Sequence, residues 1–153
     1  MTDTGNNAKT QLTGALNGAV ADALALHLKT KNFHWHLSGP RFRDLHLLFD
    51  EQAAQIMAIV DDIAERVRKN AENTLTSIGS VAKETRIKDQ DDTSLDANAM
   101  LVELRDDNDT FRTRLIEVKD AAEAANDNAT SGMVDEWIDE VEERIWFLTQ
   151  AAA

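Results

Sequence analysis

At 153 residues with no cysteine, the chain is long enough to bury one core, and it excludes disulfides, thiolate metal sites and cysteine nucleophiles. Its 28 Asp and Glu against 16 Lys and Arg leave a formal net charge of -12, which repels nucleic acid and anionic membranes at long range and gathers cations. The start, Met1-Thr2-Asp3-Thr4-Gly5-Asn6-Asn7, has neither the basic opening nor the apolar run of a signal peptide, and no stretch approaches membrane-spanning length; a soluble, cytoplasmic protein is the expectation.

One Pro, six Gly and abundant Ala, Leu, Glu, Asp and Lys favour helix, and apolar residues recur at three- and four-residue steps through four long segments. The pattern predicts an all-α bundle forming a single domain over residues 1–153, with residues 1–7 as a flexible tail. A first helix over residues 8–37 carries Leu12, Leu16, Val20, Ala23 and His27 on one stripe that ends in His34. Ser38-Gly39-Pro40 stops it, because Gly ends helices and Pro cannot continue one.

A second helix over residues 41–70 follows, with Leu45, Phe49, Ile56, Val60, Ile63 and Val67 as its apolar stripe. The short turn makes these two helices antiparallel neighbours. Between residues 71 and 93 the pattern weakens. Leu75, Ile78, Val81 and Ala82 predict one short extra helix in a connection long enough to cross the bundle and start the next helix at the far end. A third long helix over residues 95–125 is expected to bury Met100, Leu104, Phe111, Leu115 and Val118. The fourth, over residues 130–149, should bury Val134, Trp137, Ile138, Val141, Ile145 and Leu148, with Asp127 and Asn128 supplying the turn before it.

The chain has only 4 histidines, His27, His34, His36 and His46. His34 and His46, together with Asp50, Asp61 and Glu65, make the ligand mix that suits a non-haem iron open to an oxidant. Calcium or magnesium would want oxygen alone, and structural zinc would usually bring cysteine. Iron oxidation is therefore the leading functional expectation.

Helical geometry sharpens this set. At roughly 100° per residue, His46, Asp50, Asp61 and Glu65 fall within an arc of about 100° on the second helix, centred about 120° from its apolar stripe. That face turns away from the chain's own core and should meet another subunit. His46 and Asp50 lie roughly 22 Å along the helix from Asp61 and Glu65, so one ion cannot touch both pairs in one chain. His34, just before the turn, is placed beside His46, just after it. A second copy of the helix, antiparallel across a twofold axis, would bring its Asp61 and Glu65 to these imidazoles. Ala54, Met57 and Ala58, small or pliable, lie midway on the same face and permit close approach. A di-iron site inside the bundle would need Glu-x-x-His on two helices; the third and fourth helices hold no His, which excludes it.

Taken singly, a surface His or an i, i+4 acidic pair is ordinarily a solvated helix face, and it is the joint geometry that argues for metal. His27 and His36 read as packing or surface residues, and Trp35, Trp137 and Trp146 are each compatible with a core role.

The run Lys29-Thr30-Lys31-Asn32-Phe33-His34-Trp35-His36, continued to Asp50-Glu51-Gln52, strongly resembles the Dps family, the ferritin-like mini-ferritins named as DNA-binding proteins from starved cells. The spacing His-x11-His-x3-Asp-x10-Asp-x3-Glu is specific, and the similarity in helix pattern extends over nearly the whole chain. The resemblance implies a ferritin-like four-helix bundle and a twelve-subunit hollow shell that oxidises Fe(II), usually with hydrogen peroxide, and stores ferric mineral, a stress-protective activity. It assigns His34, His46 and Asp50 to one subunit and Asp61 and Glu65 to its twofold mate. It also places Trp35 beside the ferroxidase site to intercept oxidising equivalents. Asp50 and Glu51 match residues that nucleate mineral, though Leu47 stands where an acid often occurs. Asp127 is the best match to the acidic pore residues, with Gly132 replacing another acid.

The competing readings are a nucleoid-associated structural DNA-binding protein and a metal-buffering or plain helical interaction module. Family members that bind DNA often use a basic terminal tail. Here the first ten residues carry only Lys9, and the chain ends Thr149-Gln150-Ala151-Ala152-Ala153. With so little clustered positive charge to release counterions, direct DNA binding is not expected.

Overall fold

The structure, a computed structural model, describes residues 3–153. The chain is all-α: α1 spans Asp3–His36, α2 Phe42–Lys69, α3 Ile78–Glu84, α4 Ala97–Ala124 and α5 Asn128–Ala152. The two helical hairpins, α1 with α2 and α4 with α5, join chiefly where α1 packs on α4. The four long helices thus form a bundle, with α3 as the short extra helix laid against α1. No helix among the described residues is long and apolar enough to cross a membrane.

The helix ends follow local chemistry. Gly39 adopts φ +107, a left-handed backbone that a side chain would strain, and its carbonyl receives Phe42 N at 3.0 Å, which turns the chain from α1 into α2. The side chains of Ser77, Asp96 and Asp127 cap α3, α4 and α5 by accepting the backbone N–H three residues on. α1 begins five residues earlier than the apolar pattern predicted: residues 3–7, expected as tail, continue the helix, because Asn and Thr lower helix propensity without forbidding it. Residues 1 and 2 lie outside the described residues. α5 likewise runs on through Ala151 and Ala152, strong helix formers.

The connection after α2 does cross the bundle. It starts where Asn17 Nδ2 donates to Asn73 O (3.0 Å) and reaches the other end of α1 where Asn32 Nδ2 donates to Gln90 O (2.9 Å). The chain from Asn73 to Gln90 thus runs alongside α1 in the same direction, and α4 starts beside the α1 C-terminal half. Midway, the buried carboxylate of Asp22 receives Thr85 Oγ1 at 3.0 Å, Arg86 N at 2.7 Å and Arg114 Nε at 2.8 Å. Gly18 leaves room for that guanidinium, since a Cβ there would stand 2.4 Å from Arg114 Cζ. Removing one partner of such a buried pair costs about 3–5 kcal/mol.

The core contains the residues that helical periodicity selected on α4, and on α1 and α2 with two adjustments. His27 and Val60 are only partly buried, while Ile59 is buried. On α5, Ile138 and Ile145 are also only partly buried. α3 buries no residue, and Ile78 is 84% exposed, so its pattern was a weak amphipathic signal. Of the tryptophans only Trp137 is core; Trp35 and Trp146 are exposed.

Candidate metal centre

His34 closes α1 and His46 sits in the second turn of α2, so the α1–α2 hairpin sets the two imidazoles face to face. The rings stack with centroids 3.7 Å apart and an interplanar angle of 11°. Each Nδ1 meets the other residue's backbone carbonyl, His34 Nδ1 to His46 O at 2.7 Å and His46 Nδ1 to His34 O at 2.8 Å. A carbonyl can only accept, so both Nδ1 atoms donate, and in the neutral ring the lone pair is left on Nε2. A donated N–H on one side and a free, basic nitrogen on the other is the arrangement of a metal-ligating histidine. Phe42, one turn before His46, covers its ring at a centroid distance of 4.8 Å.

Asp50 lies one helical turn beyond His46, and its Oδ1 is 3.8 Å from His34 Nε2. The same oxygen accepts Lys31 Nζ at 2.8 Å. That hydrogen bond, aided by the charge of Lys31, outweighs the opposing effect of desolvation and holds the Asp50 carboxyl below the usual range. Lys31 Nζ also lies 5.8 Å from the Trp35 ring centroid. Sequence reasoning assigned no role to Lys31 or Phe42. The signals were present: Lys31 precedes His34 by three residues and Phe42 precedes His46 by four, spacings that share a helix face.

Asp61 and Glu65 are both exposed on α2, at the end remote from the histidines. Among the described residues, no group of three His, Asp or Glu side chains within the single chain is placed to hold a metal ion. Ala54, Met57 and Ala58, between the two ligand pairs, are exposed as well. The whole face from His46 to Glu65 is therefore open to a second molecule.

His27 and His36 have other partners. His27 Nδ1 meets Ala53 O at 2.8 Å and ties α1 to α2, while His36 Nδ1 bonds within its own turn to Asn32 O and Oδ1 at 2.9 and 2.7 Å. The bundle interior suits no cation. There Arg144 Nε donates to Asn108 Oδ1 at 2.9 Å and Gln52 Nε2 reaches Arg144 O at 3.4 Å. Burial lowers the Arg144 guanidinium to about 10, which leaves it positively charged at neutral pH and repulsive to iron.

Asp127 is committed locally. It caps α5 through Thr130 and accepts Arg66 Nη2 at 2.9 Å and Asn70 Nδ2 at 2.9 Å. Burial alone would raise its pKa, but the bonds from Thr130, Asn70 and Arg66 outweigh it and hold the carboxyl well below the usual range. Its charge is thus matched by Arg66. Gly132, five residues on, is exposed and contributes no charge. Glu51, beside Asp50, is exposed on α2.

Residues 13–152 match the ferritin-like domain family. The chain is 30% identical over 133 residues to a DNA protection during starvation protein of Brevibacillus brevis, an alignment covering 87% of this chain and 89% of that protein. A protein of the same name from Helicobacter pylori is 28% identical over 128 residues, covering 84% of this chain and 89% of the other. Among solved structures, Dps from Thermosynechococcus elongatus superposes with a TM-score of 0.93 at 26% identity, covering 97% of this chain and 94% of that one.

Proposed function

Because the chain belongs to the Dps family of ferritin-like proteins, we propose that it is a ferroxidase that takes up Fe(II), oxidises it at sites shared between subunits, and stores the ferric product in a hollow shell. The observation that carries this reading is the reciprocal pair of Nδ1–H···O=C bonds between His34 and His46, which leaves both Nε2 lone pairs uncommitted, that of His34 3.8 Å from Asp50 Oδ1. Iron is the substrate and, as mineral, the cargo. His34, His46 and Asp50 would hold it on one side, and Asp61 and Glu65 of the partner subunit on the other. The exposed Ala54, Met57 and Ala58 would form the centre of the twofold contact, and twelve subunits the closed assembly.

In this scheme the two imidazoles bind Fe(II) as neutral donors, and the carboxylates offset the charge gained when Fe(II) becomes Fe(III). Hydrogen peroxide is the preferred oxidant: one molecule accepts two electrons from two Fe(II) and, with two protons, leaves as two waters. That stoichiometry removes both halves of a hydroxyl-radical-forming mixture, which is the protective side of the function, and it suits a cytoplasmic setting. Trp35, exposed beside Lys31, is the proposed interceptor of stray oxidising equivalents. Asp50 and Glu51 are the proposed nucleation acids. Asp127 stays the proposed pore acid on position alone, and its pairing with Arg66 leaves it little charge to attract a cation.

The runner-up, a structural DNA-binding role, draws on the name of the relatives. The chemistry of this chain opposes direct DNA binding, since net charge is -12 and Lys9, the one basic side chain in the first ten residues, lies 3.6 Å from Glu72. The deciding experiment is anaerobic loading with Fe(II), followed by peroxide or oxygen, with assembly mass measured in parallel. Fast oxidation in an assembled particle supports the reading. Iron oxidised no faster than in buffer would overturn it.

A further inference from the structure

Lys31 holds the place of a cation in the half-site. Its Nζ lies 2.8 Å from Asp50 Oδ1, the oxygen that also faces His34 Nε2 at 3.8 Å. An ammonium this close to a proposed ligand oxygen competes with a metal for the same lone pairs, since Lys carries three donors and no acceptor. We propose that Lys31 is a built-in counter-cation that neutralises the site before iron arrives and is displaced when iron binds, so that it sets the affinity for the divalent ion. The proposal rests on the shared-site reading above, which brings the partner subunit's Asp61 and Glu65 to the same place. Three carboxylates would then converge, and without a cation their mutual repulsion would act against the interface.

The geometry allows the exchange. Lys31 is a flexible side chain on the exposed edge of α1, about a quarter accessible, and its ammonium, while bound to Asp50, already lies 5.8 Å from the Trp35 ring centroid, so that the ring face can go on holding it once Asp50 lets go. An imidazole pair plus carboxylates outcompetes an ammonium for a transition-metal ion, because the ammonium gains only electrostatics and hydrogen bonds from Asp50 whereas the metal also gains nitrogen ligation from His34 and His46. Weakly ligating hard cations such as Mg²⁺ gain less from imidazole and are held out more effectively. Lys31 is thus a positioning and selectivity residue, acting through Asp50.

The test is anaerobic equilibrium titration of the assembled protein with Co(II) alone, a spectroscopically visible divalent ion that needs no oxidant. Wild type is compared with Lys31→Gln, Lys31→Arg and His34→Ala/His46→Ala. Lys31→Gln should bind about three- to tenfold tighter, as expected for removing one nearby like charge at a partly solvated site, while Lys31→Arg, which keeps the charge, should bind no tighter than wild type. Lys31→Met, which keeps the apolar stem, replaces Lys31→Gln should that variant not assemble. Unchanged or weaker affinity without the charge, with binding still lost in the double-histidine variant, overturns the role of Lys31 and leaves the site intact. Full affinity in the double-histidine variant overturns the site and Lys31 with it.

Discussion

His34 and His46 each donate Nδ1–H to the other's backbone carbonyl, at 2.7 and 2.8 Å, across the turn that joins α1 to α2. One relationship thereby fixes both tautomers and both ring planes. It also ties the placement of the two imidazoles to the integrity of the hairpin, because the acceptors are main-chain atoms of the two histidines themselves.

If sites are shared across a twofold axis, a His34→Ala/His46→Ala chain and an Asp61→Ala/Glu65→Ala chain should each be inactive when assembled alone. Reassembled as an equal mixture, they should regain about a quarter of the wild-type initial oxidation rate, since half of the dimers are mixed and each mixed dimer has one intact site. Stopped-flow absorbance of ferric product reads this directly. Verified mixed assemblies with no recovery would mean that each chain builds its own site.

Ala58 marks the middle of the ligand face, where the proposed contact is closest. Ala58→Arg would bury an unpaired cation there at a cost of about 3–5 kcal/mol. Dissociation to smaller species, seen by mass photometry, should accompany loss of Fe(II) oxidation. A fully assembled and active variant places the axis elsewhere.

Asp127 carries a pH signature. Its folded pKa lies below the ordinary value of about 3.9, because Thr130, Asn70 and Arg66 favour the carboxylate against the opposing effect of burial. A depressed pKa contributes stability that is present above the unfolded value and is lost as pH falls through and below it. Asn caps a helix about as well as Asp, so Asp127→Asn isolates the charge. The variant should melt below wild type at pH 7, and the gap should shrink as pH falls below about 4. A gap that stays constant across that range is incompatible with the assignment.

Duplex DNA should not be retarded by the metal-free assembled protein at about 0.15 M monovalent salt, where exposed charges are largely screened. Electrophoresis in the presence of chelator tests this. Retarded bands would reveal a basic patch built by assembly.

The architecture and the meeting of His34 with His46 were legible in the residue pattern because both depend on periodicity along a helix. A rise of about 1.5 Å and a turn of about 100° per residue place Asp61 and Glu65 on the His46 face yet too far away to share its ion. The same arithmetic set the apolar stripes and the hairpin that pairs His34 with His46. Angular reasoning was weaker at stripe edges, where a residue's burial depends on how closely the neighbouring helix approaches; Ile59 and Val60 exchanged places for that reason.

What lies across from a side chain was another matter. Lys31 meeting Asp50, Arg66 neutralising Asp127, and Arg144 entering the bundle interior beside Asn108 each join residues from different helices. Such pairs depend on the lateral offset and roll of two packed helices, which the spacing within either helix leaves free. Long flexible side chains widen that freedom, since Lys and Arg can swing several ångströms to find a carboxylate or a carbonyl. The sequence therefore carried which groups could bind iron, while helix packing set which of them already hold an internal partner.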